Sequence, residues 1–149
     1  MKIGQALAGI QTLSMDTSPF IYLVEKHPVY EARVVAIFGQ VGAGHIQVIT
    51  SMLTLTEVLT MPLIKKQSHY VSEYRAMLLN TQSILTIPIN SIVAERAAEL
   101  RAKYGLKTPD ALHVATALET GSQAFLTNDL ALKRVTEIQV LVLDELEVS

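Results

Sequence analysis

The chain has no cysteine. That single absence removes a disulfide framework, a thiol nucleophile and a thiolate zinc site, and with them the small secreted scaffold; a reducing cytoplasm is the expected setting. Charge is scarce as well, at 17% of residues against roughly 25% in ordinary soluble domains. With 12 basic and 14 acidic residues the formal net charge is −2, so there is no global basic field. A histone-like or polybasic binder is excluded, and any nucleic-acid contact would have to come from a local site. A long uninterrupted hydrophobic run is also missing. Residues 34–56 carry no Asp, Glu, Lys or Arg and are long enough to span a bilayer, but Gly39, Gln40, Gly42, Gly44, His45, Gln47, Thr50 and Ser51 interrupt them. This stretch reads as a buried helix, a turn and a strand. At the N-terminus Lys2 precedes only a short apolar Ala6-Leu7-Ala8, with no small-residue cleavage site, so neither a secretory signal nor a membrane association is expected.

What is present is a half-hydrophobic chain of 149 residues, enough for one domain that buries roughly 68–70% of its unfolded surface without a staple. Short β-rich runs alternate with segments of helical period, the pattern of an α/β domain with a mainly parallel sheet. Strands are expected over residues 11–15, 45–50, 84–87, 123–126 and 138–143. Helices are expected over 19–26, 28–41, from Ser51 to about Lys66 with a bend or break at Pro62, over 68–79, from Asn90 or Ser91 to Gly105, and from a Thr108-Pro109-Asp110 start to Gly121. In that start Thr108 is expected to supply the cap. A single helical turn is expected over 130–134. Residues 1–10 read as a short helical extension and 11–149 as the domain proper.

Four acids stand apart from the other charges. Asp16 is alone between Lys2 and Glu25, Glu57 between Arg33 and Lys65, Asp110 between Lys107 and Glu119, and Asp129 between Glu119 and Lys133. An isolated ionised group in apolar surroundings is costly unless it is paired or bound to a metal. Asp16 and Asp129 directly follow expected strands, Asp110 opens a helix, and Glu57 lies in the second turn of the helix after the second strand. In an open parallel sheet such positions converge on the crevice at the carboxyl ends of the strands. Two carboxylates ~4 Å apart repel by a few kcal/mol near a protein surface, so four together call for a cation. Oxygen donors without His or Cys favour magnesium or manganese, which can polarise a phosphoryl oxygen and activate water. Taken singly, Asp16, Asp110 and Asp129 could each be a cap or turn residue; Glu57, set among Met52, Leu53, Leu55, Val58 and Leu59, has no such role.

Four segments carry these acids: Met15-Asp16-Thr17-Ser18 followed by Pro19-Phe20-Ile21-Tyr22; Leu53-Thr54-Leu55-Thr56-Glu57-Val58-Leu59; Thr108-Pro109-Asp110-Ala111-Leu112-His113-Val114-Ala115-Thr116-Ala117; and Phe125-Leu126-Thr127-Asn128-Asp129-Leu130. In order and spacing they resemble the PIN domain, and within it the VapC type of ribonuclease, from about Gln11 onward. The resemblance implies a three-layer α/β/α sandwich around a central, mainly parallel five-stranded sheet. It also implies Asp16, Glu57, Asp110 and Asp129 as catalytic residues holding Mg2+ or Mn2+, with Thr17, Ser18 and Thr127 as supporting hydroxyls and Asn128 at a position where the family tolerates Asn. The implied activity is hydrolysis of RNA phosphodiester bonds by activated water, leaving a 5′-phosphate and a 3′-hydroxyl. The implied biology is the toxin of a type II toxin-antitoxin pair, cytoplasmic and homodimeric, with a small antitoxin protein as partner. The stretch before Gln11 departs from the shortest members.

Other signals are weaker. Lys107, Lys133 and Arg134 adjoin acidic motifs and are candidates for RNA phosphate contacts. His113, one turn after Asp110, is expected to be a packed or supporting residue rather than a general base, and His27, His45 and His69 show no metal-ligand spacing. Tyr22, Phe20 and Phe38 are expected to fill the core. Gly39, Gly42 and Gly44 precede a strand, which fits a turn and not a nucleotide-binding loop. Three other readings remain open: a non-catalytic PIN-fold interaction domain, a housekeeping RNA-processing nuclease, and a phosphoacceptor domain with Asp16 as nucleophile. The last would want paired acids at the first strand and a lysine at a later strand end, and neither is clear. Without the four acids the chain carries ten acids against twelve bases, so its negative balance is local to them.

Overall fold

A computed structural model describes residues 1–148. Five strands, β1 (Thr12–Met15), β2 (Gln47–Ser51), β3 (Ile84–Ile87), β4 (Ala124–Thr127) and β5 (Gln139–Val142), form one sheet in the order β3-β2-β1-β4-β5. Every pairing is parallel. The strands are short and rich in Val, Ile, Leu and Thr, and they are covered on both faces, as an all-parallel sheet requires. Alternation along each strand divides the core in two. Leu13, Met15, Ala124, Leu126 and Leu141 join one apolar cluster; Phe125, Val140 and Val142 join the other.

The first face is covered by α2 (Ser18–Val24), α3 (Glu31–Gly42), α4 (Leu53–Ile64) and α5 (Ser68–Asn80), which contribute Phe20, Val34, Ile37, Val58, Tyr74 and Leu78. The second is covered by α6 (Ser91–Tyr104) and α7 (Thr108–Glu119), through Val93, Ala97, Leu100, Ala111 and Val114. The result is the expected α/β/α sandwich. A short helix α1 (Ile3–Ala6) places Ile3 and Ala6 in the first cluster, and Lys2 bridges Glu147 in parallel, so the first residues pack against the end of the chain. Among the described residues no helix is long and apolar enough to cross a membrane.

The elements expected from Gln11 onward occur with ends shifted by at most three residues; the cap expected at Thr108 needs correction, and of the bend or break expected at Pro62 the break does not occur. Thr108 does not cap α7. It is the first helical residue, the extended position before it is Lys107, and no side chain caps that end; Pro109 occupies a site whose missing N–H would be unpaired anyway. Pro62 does not break α4, which runs on to Ile64. Other punctuation follows the sequence. Asn90 Oδ1 accepts from the Val93 N–H at 2.9 Å, Gly105 ends α6 with φ +68°, and Gly44 makes the turn before β2 with φ +83°.

Candidate active site

The sheet order places β1 at the centre, and the chain leaves it at Asp16. The Asp16 N–H still donates to the Leu126 carbonyl at 3.1 Å, so the ladder between β1 and β4 holds this residue one step beyond the strand. On the neighbouring strand Thr127 is fully buried. Its hydroxyl donates to Asp16 Oδ2 at 2.5 Å and accepts from the Asp129 N–H at 3.0 Å. One hydroxyl therefore ties the two acids that follow β1 and β4. Ser18 Oγ donates to the other Asp16 oxygen at 3.2 Å, and Asp129 Oδ1 accepts from the Ala131 N–H at 3.0 Å, capping the single helical turn Leu130–Arg134.

Glu57 reaches the same place from α4. Its Oε1 accepts from Thr17 Oγ1 at 2.6 Å and lies 2.7 Å from His113 Nε2. Asp110 comes from the first turn of α7, one turn before His113. Asp16, Glu57, Asp110 and Asp129 line one cavity of about 300 Å³, together with Thr17, Ser18 and His113. Tyr22 and Asn128 complete the wall. Of the basic candidates, Lys107 lies close enough to Asp110 to lower its carboxyl, whereas Lys133 is paired with Glu145 at 2.7 Å and, like Arg134, is not part of the wall.

The acids respond differently to this shared enclosure. Burial pushes the Asp16 carboxyl up from 3.8 to about 6, against the hydrogen bond from Thr127, the influence of His113 and the bond from Ser18. Asp110 is also raised, first by burial and then by the charge on Asp129, with Glu57 adding to the rise and His113 and Lys107 opposing it. Glu57 is lowered, chiefly by its hydrogen bond with His113, although burial opposes the shift. Asp16 and Asp110 are thus both held above their ordinary range by enclosure, and Asp110 also by repulsion from Asp129 and Glu57, in a cavity whose acid donors are all oxygen. That environment suits a hard divalent cation, which would relieve both effects. Among the described residues no three Asp, Glu or His side chains are arranged closely enough to hold an ion as they stand; Glu57 Oε1 is occupied by Thr17 and His113 instead.

Of the other polar wall residues, His113 was expected as a packed or supporting residue and Tyr22 in the core. His113 is only 4% exposed, as a packed histidine would be, yet its polar contacts are with Glu57 and Thr17 across a separation no local pattern encodes. Tyr22 does not simply fill the core. Its hydroxyl accepts from Asn128 Nδ2 at 3.2 Å, and its ring stacks on Tyr30 at 4.9 Å with His27 beside it. Asn128 in turn accepts from the Asp144 N–H at 2.9 Å, so it braces the acid-bearing loop from two sides. Its Asn-Asp neighbourhood after a strand was the available signal for such a loop brace. Phe20 is buried as expected, and Phe38 packs against the same core at a ring distance of 5.8 Å.

The fold is similar to that of several solved structures. One is described as FitAB bound to an IR36 DNA fragment, with a TM-score of 0.69 and 21% identity over 91% of this chain and 97% of that one. A toxin-antitoxin complex from Klebsiella pneumoniae gives 0.66 and 23% over 88% and 97%. Mycobacterium tuberculosis VapC20, described as a Sarcin-Ricin loop cleaving toxin, gives 0.67 and 16% over 85% and 98%. No curated relative matches the sequence. The model of the PIN domain family matches residues 14–138, a span that contains all four acids of the cavity, and the chain belongs to that family.

Proposed function

We propose that this protein is a metal-dependent endoribonuclease, with Asp16, Glu57, Asp110 and Asp129 as the catalytic residues that hold Mg2+ or Mn2+. The observation that carries the reading is the meeting of four sequence-isolated acids in one cavity at the carboxyl ends of the central strands, with Asp16 and Asp110 shifted upward. A bound divalent cation would polarise the scissile phosphate and lower the pKa of an attacking water. The chain's own part is to present the carboxylates in fixed positions. Thr127 and Ser18 hold the two oxygens of Asp16, Thr127 also holds the backbone of Asp129, and Thr17 with His113 holds one oxygen of Glu57. Lys107, Lys133 and Arg134 remain the candidates for phosphate contacts, with Lys107 the one whose charge acts on a cavity acid, Asp110.

The biological reading is a toxin of a type II toxin-antitoxin pair acting in the cytoplasm, with a small antitoxin protein as partner and a homodimer as the assembly. Its support is the likeness to the Klebsiella pneumoniae toxin-antitoxin complex and to Rickettsia felis VapBC2 bound to a promoter DNA fragment. Residues 11–149 would form the nuclease domain, and residues 1–10 an N-terminal extension packed onto it.

The test is incubation of the purified protein with a panel of structured and single-stranded RNAs, with manganese and with excess chelator, and with Asp16→Asn as the control. Cleavage should require the metal, leave 5′-phosphates and vanish in the variant. Cleavage that persists in chelator, or in Asp16→Asn, would overturn the mechanism.

A further inference from the structure

The geometry points to His113 as a positioning residue for Glu57: from inside the core it fixes one carboxylate oxygen and leaves the other as the ligand for a divalent cation. This rests on the cation-binding reading of the cavity and adds to it a residue that is neither an acid nor a supporting hydroxyl.

Three observations converge. Both donors to Glu57 meet at a single oxygen, Oε1, with Thr17 Oγ1 at 2.6 Å and His113 Nε2 at 2.7 Å. Among the described residues no hydrogen bond reaches Oε2. A carboxylate can only accept, so its contact with the imidazole requires a hydrogen on Nε2. The other ring nitrogen, Nδ1, is buried with no hydrogen-bond partner. Around His113 in sequence on the same helix, Ala111, Val114, Ala115 and Ala117 are all fully buried. In such company an apolar side chain would pack without leaving a polar atom unpaired. The ring's polar contacts all run through Nε2, to Glu57 and, at 3.3 Å, to the Thr17 hydroxyl, so the stabilising use of this histidine is the bond to Glu57. Because His113 lies one turn after Asp110 on α7, the same helix that supplies one acid also orients another, carried by α4. Hydrogen-bonded partners of this kind fix ligand orientation, and losing one typically weakens metal binding by roughly 10–100-fold.

The experiment is calorimetric titration of the full-length protein with Mn2+, comparing wild type, His113→Leu, His113→Gln, Thr17→Val and Asp16→Asn, with metal-free melting curves for each. His113→Leu should weaken Mn2+ binding by roughly 10–100-fold, and His113→Gln, whose amide can still donate to Glu57, should recover most of the loss. Thr17→Val should weaken binding in the same direction. RNA cleavage by His113→Leu should approach the wild-type rate at saturating Mn2+, moving the metal dependence more than kcat. Wild-type affinity in His113→Leu overturns the inference, as does a His113→Gln variant that is folded and binds no better than the leucine. If wild type binds Mn2+, Asp16→Asn does not, and His113→Leu is unchanged, the positioning role fails and the cavity reading survives. If wild type binds no Mn2+ at all, both fall.

Discussion

The two ends of the parallel sheet each carry a cavity, and the larger one is at the end with no acids. At the amino end, residues around Gln11, Val41, His45, Gln82 and Ser83 line a space of about 740 Å³; the space at the carboxyl end is about 300 Å³. The amino-end lining is made of amides, hydroxyls, glycines, apolar groups and one imidazole, with no carboxylate. The carboxyl-end lining gathers three Asp and one Glu. Volume therefore does not mark the candidate site here. Convergence of groups whose protonation is shifted by their surroundings does, and it follows from topology, because the strand ends and early helical turns of a doubly covered sheet meet on one side only.

The strongest way to break this contrast is to remove one acid and compare it with a change at the opposite end. Asp16→Asn should take RNA cleavage below detection, a loss of at least roughly 10²–10³-fold, the scale of losing one pre-organised electrostatic contact, whereas His45→Ala should leave the rate unchanged. Initial rates on one RNA substrate at saturating manganese decide it. A comparable loss in both variants would mean that the amino-end cavity takes part and that the contrast is mistaken.

Much of this contrast is legible in the sequence, for a physical reason. Burying an unpaired carboxylate is costly, so acids such as Glu57 and Asp110, set alone in apolar segments, advertise a site without any knowledge of the fold. The strands are equally legible, because a sheet covered on both faces needs short, continuous apolar runs. What the residue order does not express is proximity between elements. His113 and Glu57 are 56 residues apart, and nothing in either helix announces the contact. Tyr22 has the composition of a core residue; only its bond with Asn128, 106 positions away, brings it to the cavity wall. The shift of Asp16 belongs to the same class, since the burial that causes it is tertiary.

That shift supplies the next prediction. The Asp16 carboxyl stands at about 6 in the folded protein against an ordinary 3.8, so the native state binds this proton more tightly than the unfolded chain does. For a raised acid the destabilisation is fully present above pH 6 and is relieved as the pH falls toward 4, by at most roughly 3 kcal/mol. Glu57 has the opposite sign, since its lowered value stabilises the fold above the ordinary carboxylate range and that contribution is lost on acidification through it. Metal-free wild type should therefore gain stability between about pH 7.5 and 5, and Asp16→Asn should flatten that rise. Urea unfolding at a series of pH values measures both. A wild-type stability that falls steadily over this interval contradicts the assignment.

A smaller effect compares a buried hydroxyl with a half-buried one. Thr127 donates to a carboxylate at the site end, whereas Ser122, just before β4, shares a neutral hydrogen bond with Ser14 at 2.7 Å. Bonds to charged groups contribute about 1.5–3 kcal/mol and neutral ones about 0.5–1.5. Thr127→Val should accordingly cost more than Ser122→Ala in denaturant melts at pH 8, where Asp16 is ionised, and the gap should narrow at pH 5. Equal costs at both pH values would show that the bond to Asp16 carries no charge-dependent share.

The smallest prediction concerns two helix starts that look alike in sequence and differ in structure. Asn90 and Thr108 are both residue types that favour the capping position, but only Asn90 fills it. Its backbone is extended at φ −99° and ψ −177°, and its side chain accepts from Val93. At α7 the extended residue is Lys107, with φ −68° and ψ 151°, and Thr108 already lies in the first turn without a capping bond. A cap works by accepting from an N–H that the helix cannot pair internally, so a hydroxyl inside the first turn does not supply what Asn90 supplies. Asn90→Ala should lower stability by about 1 kcal/mol, and Thr108→Ala by clearly less. Both variants lie outside the acid cavity wall, so RNA cleavage at 25 °C should be unaltered in each. An equal loss of melting temperature would place Thr108 back in the capping role that its sequence suggests, and would require the start of the helix that carries Asp110 and His113 to be redrawn by one residue.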